Sequence, residues 1–124
     1  MPYFWHDGQL CIVVVTNREG DRWVLPKGRP KSGVSHRMLA QQEAWEEAGL
    51  SGTLSAGRSI DVTIRRHGRR LALRLYPMHV EEMAPWWPEH ALRQRRIVSA
   101  GEAQSMLSDR GMTKAVSVLM RRLQ

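Results

Sequence analysis

Between Gly8 and Thr16 the residues Leu10, Ile12, Val13, Val14 and Val15 follow one another without helical spacing, and this β-branched run predicts a buried strand. Asn17, Arg18, Glu19 and Gly20 supply a turn and Arg22 to Leu25 a second short strand, a hairpin that ends where Pro26 removes a backbone donor. Lys27 to Val34 reads as a loop containing Gly28 and Gly33. Ser35 is placed to cap a helix through Ala48, whose apolar side comes from Met38, Leu39, Ala44 and Trp45 and whose stop is Gly49. Ile60, Val62 and Ile64 alternate with polar neighbours, and Leu71, Leu73 and Leu75 do so on the return, which predicts two long strands, 53–65 and 70–80, around the turn His67–Gly68. The connection 81–90 holds Pro85, Trp86, Trp87 and Pro88 and is irregular, folded over another part of the chain. A short strand at 93–98 and helices at 101–107 and 111–123 complete the pattern, the last helix carrying Ala115, Val118, Leu119 and Arg122 at three- and four-residue spacing. Only Pro2 to Trp5 are left for a first strand, so a sheet edge is expected to be short, covered by a partner chain or continued by an upstream coding start. With no repeat, low-complexity tract or linker, the fold class is α/β (α+β), a mixed β-sheet with a central helix and C-terminal helices in one domain spanning 1–124.

Length and composition agree with that reading. A chain of 124 residues, 42% hydrophobic and 25% charged, is long enough for one core and too short for two ordinary domains. The longest apolar run, Leu10 to Val15, falls far below the roughly 20 residues of a membrane-spanning helix, and no signal-type segment opens the chain. A cytoplasmic protein with no membrane partner is expected. The single Cys11 sits inside the apolar run and is read as a packing residue. Nineteen Lys and Arg against twelve Asp and Glu give a formal charge of +7, which favours anionic partners: nucleic acid, phosphorylated metabolites or acidic surfaces. All the cations but Lys27, Lys31 and Lys114 are Arg, whose planar fork suits phosphate.

Against that basic background, Glu43, Glu46 and Glu47 are crowded onto one helix. At spacings of three and four they share one surface, where like charges repel by a few tenths of a kcal/mol per pair. A solvated acidic face, partly offset by Arg29, His36 and Arg37, is one reading. Metal binding is the other: magnesium takes hard oxygen ligands, commonly one or two carboxylates plus substrate phosphate oxygens. Glu43 and Glu47 could form that pair, with a loop carbonyl near Lys27 or Gly28 beside them.

These residues resemble the signature of the Nudix hydrolases, which runs Gly, five residues, Glu, seven residues, then Arg-Glu-aliphatic-any-Glu-Glu-any-Gly-aliphatic. Gly28, Glu43, Ala44, Glu46, Glu47, Gly49 and Leu50 fall at the required offsets. The preceding Trp23-Val24-Leu25-Pro26-Lys27-Gly28 is similar to the entry into this motif in the diphosphoinositol polyphosphate and diadenosine polyphosphate hydrolase branch. Two positions depart, Val34 for the first Glu and Gln42 for the Arg that in the family orients the carboxylates. One missing anion and one missing cation leave the local charge unchanged, so a preserved site is expected.

The resemblance implies an α/β/α sandwich across nearly the whole chain and magnesium-dependent hydrolysis of a phosphoanhydride, with manganese as a substitute metal. It implies Glu43, Glu47 and the Lys27 carbonyl as metal ligands, and Glu46 as a third catalytic carboxylate acting on the metal or the attacking water. A further Glu from a later loop completes the site in many members, and Glu81, Glu82 and Glu89 are equal candidates here. The substrate it implies is nucleotide-linked or a highly phosphorylated small molecule. A monomer or homodimer is expected.

Other features carry two readings each. Arg65, Arg66, Arg69 and Arg70 around the hairpin tip could hold a polyphosphate or single-stranded nucleic acid, or be a solvated turn. Trp86 and Trp87 could stack on a base or pin their loop to the core. The five His residues show no zinc-ligand spacing. A fold that binds without turnover, suggested by Val34 and Gln42, and an Arg-rich nucleic-acid module are the rival functional classes.

Overall fold

The apolar run forms β2 (Gln9–Thr16), the strand on which the sheet is assembled, in a computed structural model that describes residues 1–27, 32–55 and 58–123. Ile12, Val13, Val14 and Val15 are fully buried, because strand alternation sends them to two different cores. Ile12 and Val14 face one core and Val13 and Val15 the other. Cys11 is buried, as expected.

β2 pairs antiparallel with β1 (Pro2–His6), with β3 (Trp23–Val24) and with β8 (Arg95–Ser99); Ile12 lies between Tyr3 and Val98, and Val15 between Val24 and Arg95. β1 then runs parallel to β7 (Met78–Met83), which pairs antiparallel with β4 (Leu50–Leu54). The result is a mixed six-stranded sheet. The expectation that this first strand leaves a short edge, for a partner chain or an upstream segment to cover, is corrected: β1 lies inside the sheet between β2 and β7. Asp7 and Gly8, at φ 50° and 76°, turn the chain tightly from β1 into β2.

The two long strands expected over 53–65 and 70–80 are also corrected. Each divides into two strands in different sheets: β4 and β5 (Ile60–Arg66) on the way out, β6 (Arg69–Leu75) and β7 on the return. Tyr76 and Pro77 separate β6 from β7, where the missing donor of proline ends the ladder. β5 and β6 form a separate hairpin closed by His67 and Gly68, at φ 51° and 75°, as the turn residues predict.

Helix α1 (His36–Ala48) covers one face of the main sheet, while α2 (Ala100–Met106), α3 (Arg110–Arg122) and the β5–β6 hairpin bury the other. The architecture is therefore the expected α/β/α sandwich. Within α1 the apolar side differs from expectation: Leu39, Ala44 and Ala48 are buried together with Glu47, whereas Met38 and Trp45 are exposed. Among the described residues no helix is long and apolar enough to cross a membrane.

Two interactions fix the hairpin tip over the sheet. Asp109, the N-cap of α3, accepts from the backbone N–H of Gly111 and also from that of Arg65 at 3.0 Å, joining helix to hairpin. Gly111 lies so close beneath the Thr63 carbonyl that an added Cβ would stand 2.1 Å from its oxygen.

Candidate active site

Helix α1 presents its carboxylates because both of its ends are fixed. At the start, the Ser35 hydroxyl accepts from Met38 N–H at 3.1 Å, as its position before the apolar spacing predicts. At the end, Gly49 adopts the left-handed conformation, φ 67°, and its N–H reaches the Ala44 and Trp45 carbonyls. A Cβ there would also lie 2.9 Å from that of Trp87, so backbone conformation and packing both require glycine.

Trp87 in turn lies under Arg95, whose guanidinium is 4.3 Å from the ring centroid and donates to the carbonyls of Ala48 and Ala84 at 2.8 and 2.9 Å. Burial lowers the pKa of Arg95. This stack ties the 84–95 segment to the last turn of α1, and Glu89 N–H donates to the Glu46 carbonyl at 3.0 Å.

Glu43, Glu46 and Glu47 line one cleft of about 860 Å³ together with Lys27 and Glu89. Cations line it as well, interspersed with Glu19, Asp21 and Asp109. Arg65 and Arg66 come from the hairpin tip; Arg18 and Arg22 come from the β2–β3 turn, which Asn17 closes by accepting from the N–H groups of Asp21 and Arg22. Glu47 is only 3% exposed. Burial first, then a hydrogen bond with Glu43, push its carboxyl up to about 8, against the opposing pull of Arg93 and Lys27. Its neutral form is therefore favoured in the metal-free protein, and a divalent cation beside it would favour the ionised form instead. Among the described residues no three acidic, imidazole or thiolate side chains are grouped so as to hold a metal ion, and the donor set on offer is the carboxylate pair Glu43 and Glu47. A pair of carboxylates with open positions for water and phosphate oxygens is the usual magnesium arrangement.

Of the three later candidates, Glu89 alone lines the cleft. Glu81 accepts from the Thr53 hydroxyl at 2.8 Å, and Glu82 lies opposite Ser51 in the β4–β7 ladder. The two tryptophans offered for stacking lie elsewhere: neither lines the cleft, Trp87 is buried against Gly49 and Arg95, and the exposed Trp86 packs near the His90 ring at 5.2 Å. Aromatic rings beside prolines here pin their loop. Gln42 is exposed and Val34 half-buried; Gly28 and Arg29 lie outside the described residues.

Sequence reasoning missed Arg93, which it placed only as the first residue of a strand. In the fold it precedes β8, reaches Glu47 and Glu89 and lines the cleft. The spacing of Glu89 and Arg93, four apart, was the available signal, but nothing local says that α1 is next to them. Arg18, Arg22 and Asp109 were also missed, since a turn and a helix cap carry no mark of the cleft they join.

No family model matches the chain. Among curated proteins it is similar to "Nudix hydrolase 17, mitochondrial" of Arabidopsis thaliana, 31% identical over 124 residues covering 95% of this chain and 68% of the relative. "Nudix hydrolase 18, mitochondrial" of the same plant is 31% identical over 113 residues covering 90% of this chain and 64% of the relative. The chain thus spans about two thirds of the length of these relatives, and 59% of a third, "Nudix hydrolase 21, chloroplastic". Among solved structures it is similar to a C. elegans Ap4A hydrolase, with TM-score 0.79, 14% identity and coverage of 99% of this chain and 93% of the other. The NUDIX domain of Shewanella oneidensis NrtR, complexed with ADP ribose, gives TM-score 0.77 at 13% identity, covering 99% and 84%. Those two likenesses show a shared fold from end to end. Together with 31% identity across 95% of its length to a curated relative, they show that the chain belongs to the Nudix hydrolase family.

Proposed function

We propose that this protein hydrolyses a phosphoanhydride bond in a polyphosphorylated or nucleotide-linked small molecule, using magnesium. The observation that carries this reading is the meeting of the carboxylates Glu43, Glu46, Glu47 and Glu89 with the cations Arg18, Arg22, Arg65 and Arg66 across one cleft. Carboxylates alone would repel such a substrate, and arginines alone would bind it without activating water. Glu43 and Glu47, with the Lys27 carbonyl, are the groups that would hold the metal, and Glu89 and Glu46 are placed to complete its shell or to orient water. The bound cation would neutralise phosphate charge and acidify a coordinated water. The arginines hold the phosphates that are not attacked, which keeps the scissile group against the carboxylates.

The test is a panel of dinucleoside polyphosphates, ADP-ribose, nucleoside triphosphates and diphosphoinositol phosphates, each with and without magnesium. Turnover of at least one member that stops on chelation is expected. Binding without turnover of any member would favour a binding protein, and metal-independent, salt-sensitive oligonucleotide binding would favour a nucleic-acid module.

Replacing both Arg65 and Arg66 by Ala is expected to raise KM for the best substrate by about tenfold to a hundredfold, one charge-assisted contact being worth roughly 1.5–3 kcal/mol. Little change in kcat is expected, because the carboxylates that would hold the metal and activate water are left in place. Unchanged KM would remove the hairpin from the substrate site.

A further inference from the structure

Burying Glu47 beside Glu43 costs several kcal/mol unless a cation and further hydrogen bonds offset it. Position 42 of the same helix holds an exposed Gln and supplies no charge. The cations that act on Glu47 come from outside the helix, Arg93 first and then Lys27. Arg93 Nε donates to Glu89 Oε1 at 2.8 Å, its Nη1 donates to the Thr16 carbonyl at 2.9 Å, and the same Nη1 lies 3.6 Å from Glu47 Oε1. Its side chain is 10% exposed, and those of Glu47 and Glu89 are 4% and 17%.

One anchor of the guanidinium, the Thr16 carbonyl, takes no part in chemistry. The Thr16 carbonyl ends β2, and Thr16 and Gln94 exchange two hydrogen bonds, Gln94 N–H to the Thr16 hydroxyl at 2.9 Å and Thr16 N–H to the Gln94 carbonyl at 3.1 Å. Glu89, which Arg93 grips, is itself fastened to the Glu46 carbonyl. A planar fork anchored in this way holds Glu89 by a hydrogen bond and keeps a fixed positive charge 3.6 Å from Glu47, an arrangement that a Lys point charge does not reproduce.

We propose that Arg93 is the positioning residue of this site, orienting Glu47 and Glu89 toward the cleft from outside the carboxylate helix. This inference rests on the metal-dependent reading above, and it goes beyond it by assigning to a residue 51 positions from Gln42 the service that a cation within α1 would give.

Two effects of removing Arg93 have opposite signs. Loss of a nearby positive charge tightens cation binding, whereas loss of carboxylate orientation weakens it. Direct Mn²⁺ binding, read by electron paramagnetic resonance, separates them. For Arg93→Gln the expected results are Mn²⁺ affinity weakened about tenfold and kcat lowered about 10- to 100-fold with KM nearly unchanged, the usual range for supporting residues of a metal site. Gln42→Arg in the otherwise unmodified chain is expected to change turnover less than about twofold, but to recover most of the loss when combined with Arg93→Gln. Arg93→Lys keeps the charge without the fork and should fall between, and it carries the test where the neutral variant does not fold.

Tighter Mn²⁺ binding with unchanged kcat in Arg93→Gln, or an Arg93→Lys protein indistinguishable from the parent, would overturn the assignment. An unmodified chain that neither binds Mn²⁺ nor turns over any substrate overturns the functional reading itself, and the assignment with it.

Discussion

Glu47→Gln is expected to reduce metal-dependent turnover by about 100-fold or more and, at the same time, to stabilise the metal-free protein at pH 8. The loss of turnover follows from its place: residues that merely support a metal site cost about 10- to 100-fold when removed, and a ligand lies at or beyond the top of that range. The gain in stability follows from burial. The carboxyl of Glu47 stands at about 8 in the fold against an ordinary 4.5, so the neutral form is the one the fold accepts. A raised carboxyl contributes stability that is complete below about pH 4.5 and is lost as pH rises through about 8.

Burial also lowers the Met1 amino group to about 5, which gives both proteins a trend of opposite sign over nearly the same range, so the effect of Glu47 is read as the difference between them: without metal, the Tm of the parent should fall relative to that of Glu47→Gln as pH rises between those two values. At pH 8 the variant should be ahead by about 2–3 kcal/mol, less than the full shift implies because the amide also forfeits the Arg93 pair. On the proposed reading magnesium would supply a positive charge beside Glu47, so its effect on the parent's Tm should be larger at pH 8 than at pH 6. Thermal melts across pH, with magnesium or chelator, measure all of this. A Tm difference between parent and variant that is independent of pH without metal would show that Glu47 is not held as a buried acid.

Gly111→Ala is expected to destabilise the protein by about 3 kcal/mol, a fall in Tm of roughly 10 °C, whereas Gly101→Ala in the neighbouring helix should be neutral or stabilising by about 0.5–1 kcal/mol. Both substitutions improve helix propensity, so propensity cannot separate them. What separates them is the space a Cβ would enter. At Gly111 it would meet the Thr63 carbonyl oxygen at 2.1 Å, and at Gly101 nothing lies within 4 Å.

Because Gly111 and Asp109 together seat the β5–β6 hairpin on α3, the Gly111 variant should also displace Arg65 and Arg66 from the cleft. KM for the best substrate should rise even in the fraction that folds. Equal melting temperatures for the two variants would mean that the hairpin moves freely on α3 and is not fixed there.

The elements whose stabilising contacts are local were legible in the chain. Ser35 and Gly49 marked the ends of the carboxylate helix because capping is settled within a few residues. His67–Gly68 marked a hairpin because that turn demands positive φ. The division of the two long strands was read past: the alternation of Ile60, Val62 and Ile64 was extended back across Ser55 to Ser59, and that of Leu71, Leu73 and Leu75 forward across Pro77, whose missing donor was the local sign of a break. The apolar side of α1 misled for a related reason. Counting Trp45 as core and Glu47 as surface follows hydrophobicity, while the packing of α1 on β2 and β4 buries Glu47 and leaves Trp45 exposed.

The sequence by itself determined the sandwich fold, the helix bearing Glu43, Glu46 and Glu47, and its kinship with the Nudix hydrolases, because spacing along one helix fixes which side chains share a surface. Only the tertiary structure decided which distant residues face that surface. Glu89 joins the cleft and Glu81 does not; Arg65 and Arg66 line its wall while Trp87 pins a loop; and Arg93, not position 42, meets the buried Glu47. These outcomes depend on how the sheet brings the 84–95 segment and the β5–β6 hairpin beside α1. No local pattern encodes that approach, because residues close in space but far apart in sequence are matched by packing and charge rather than by period.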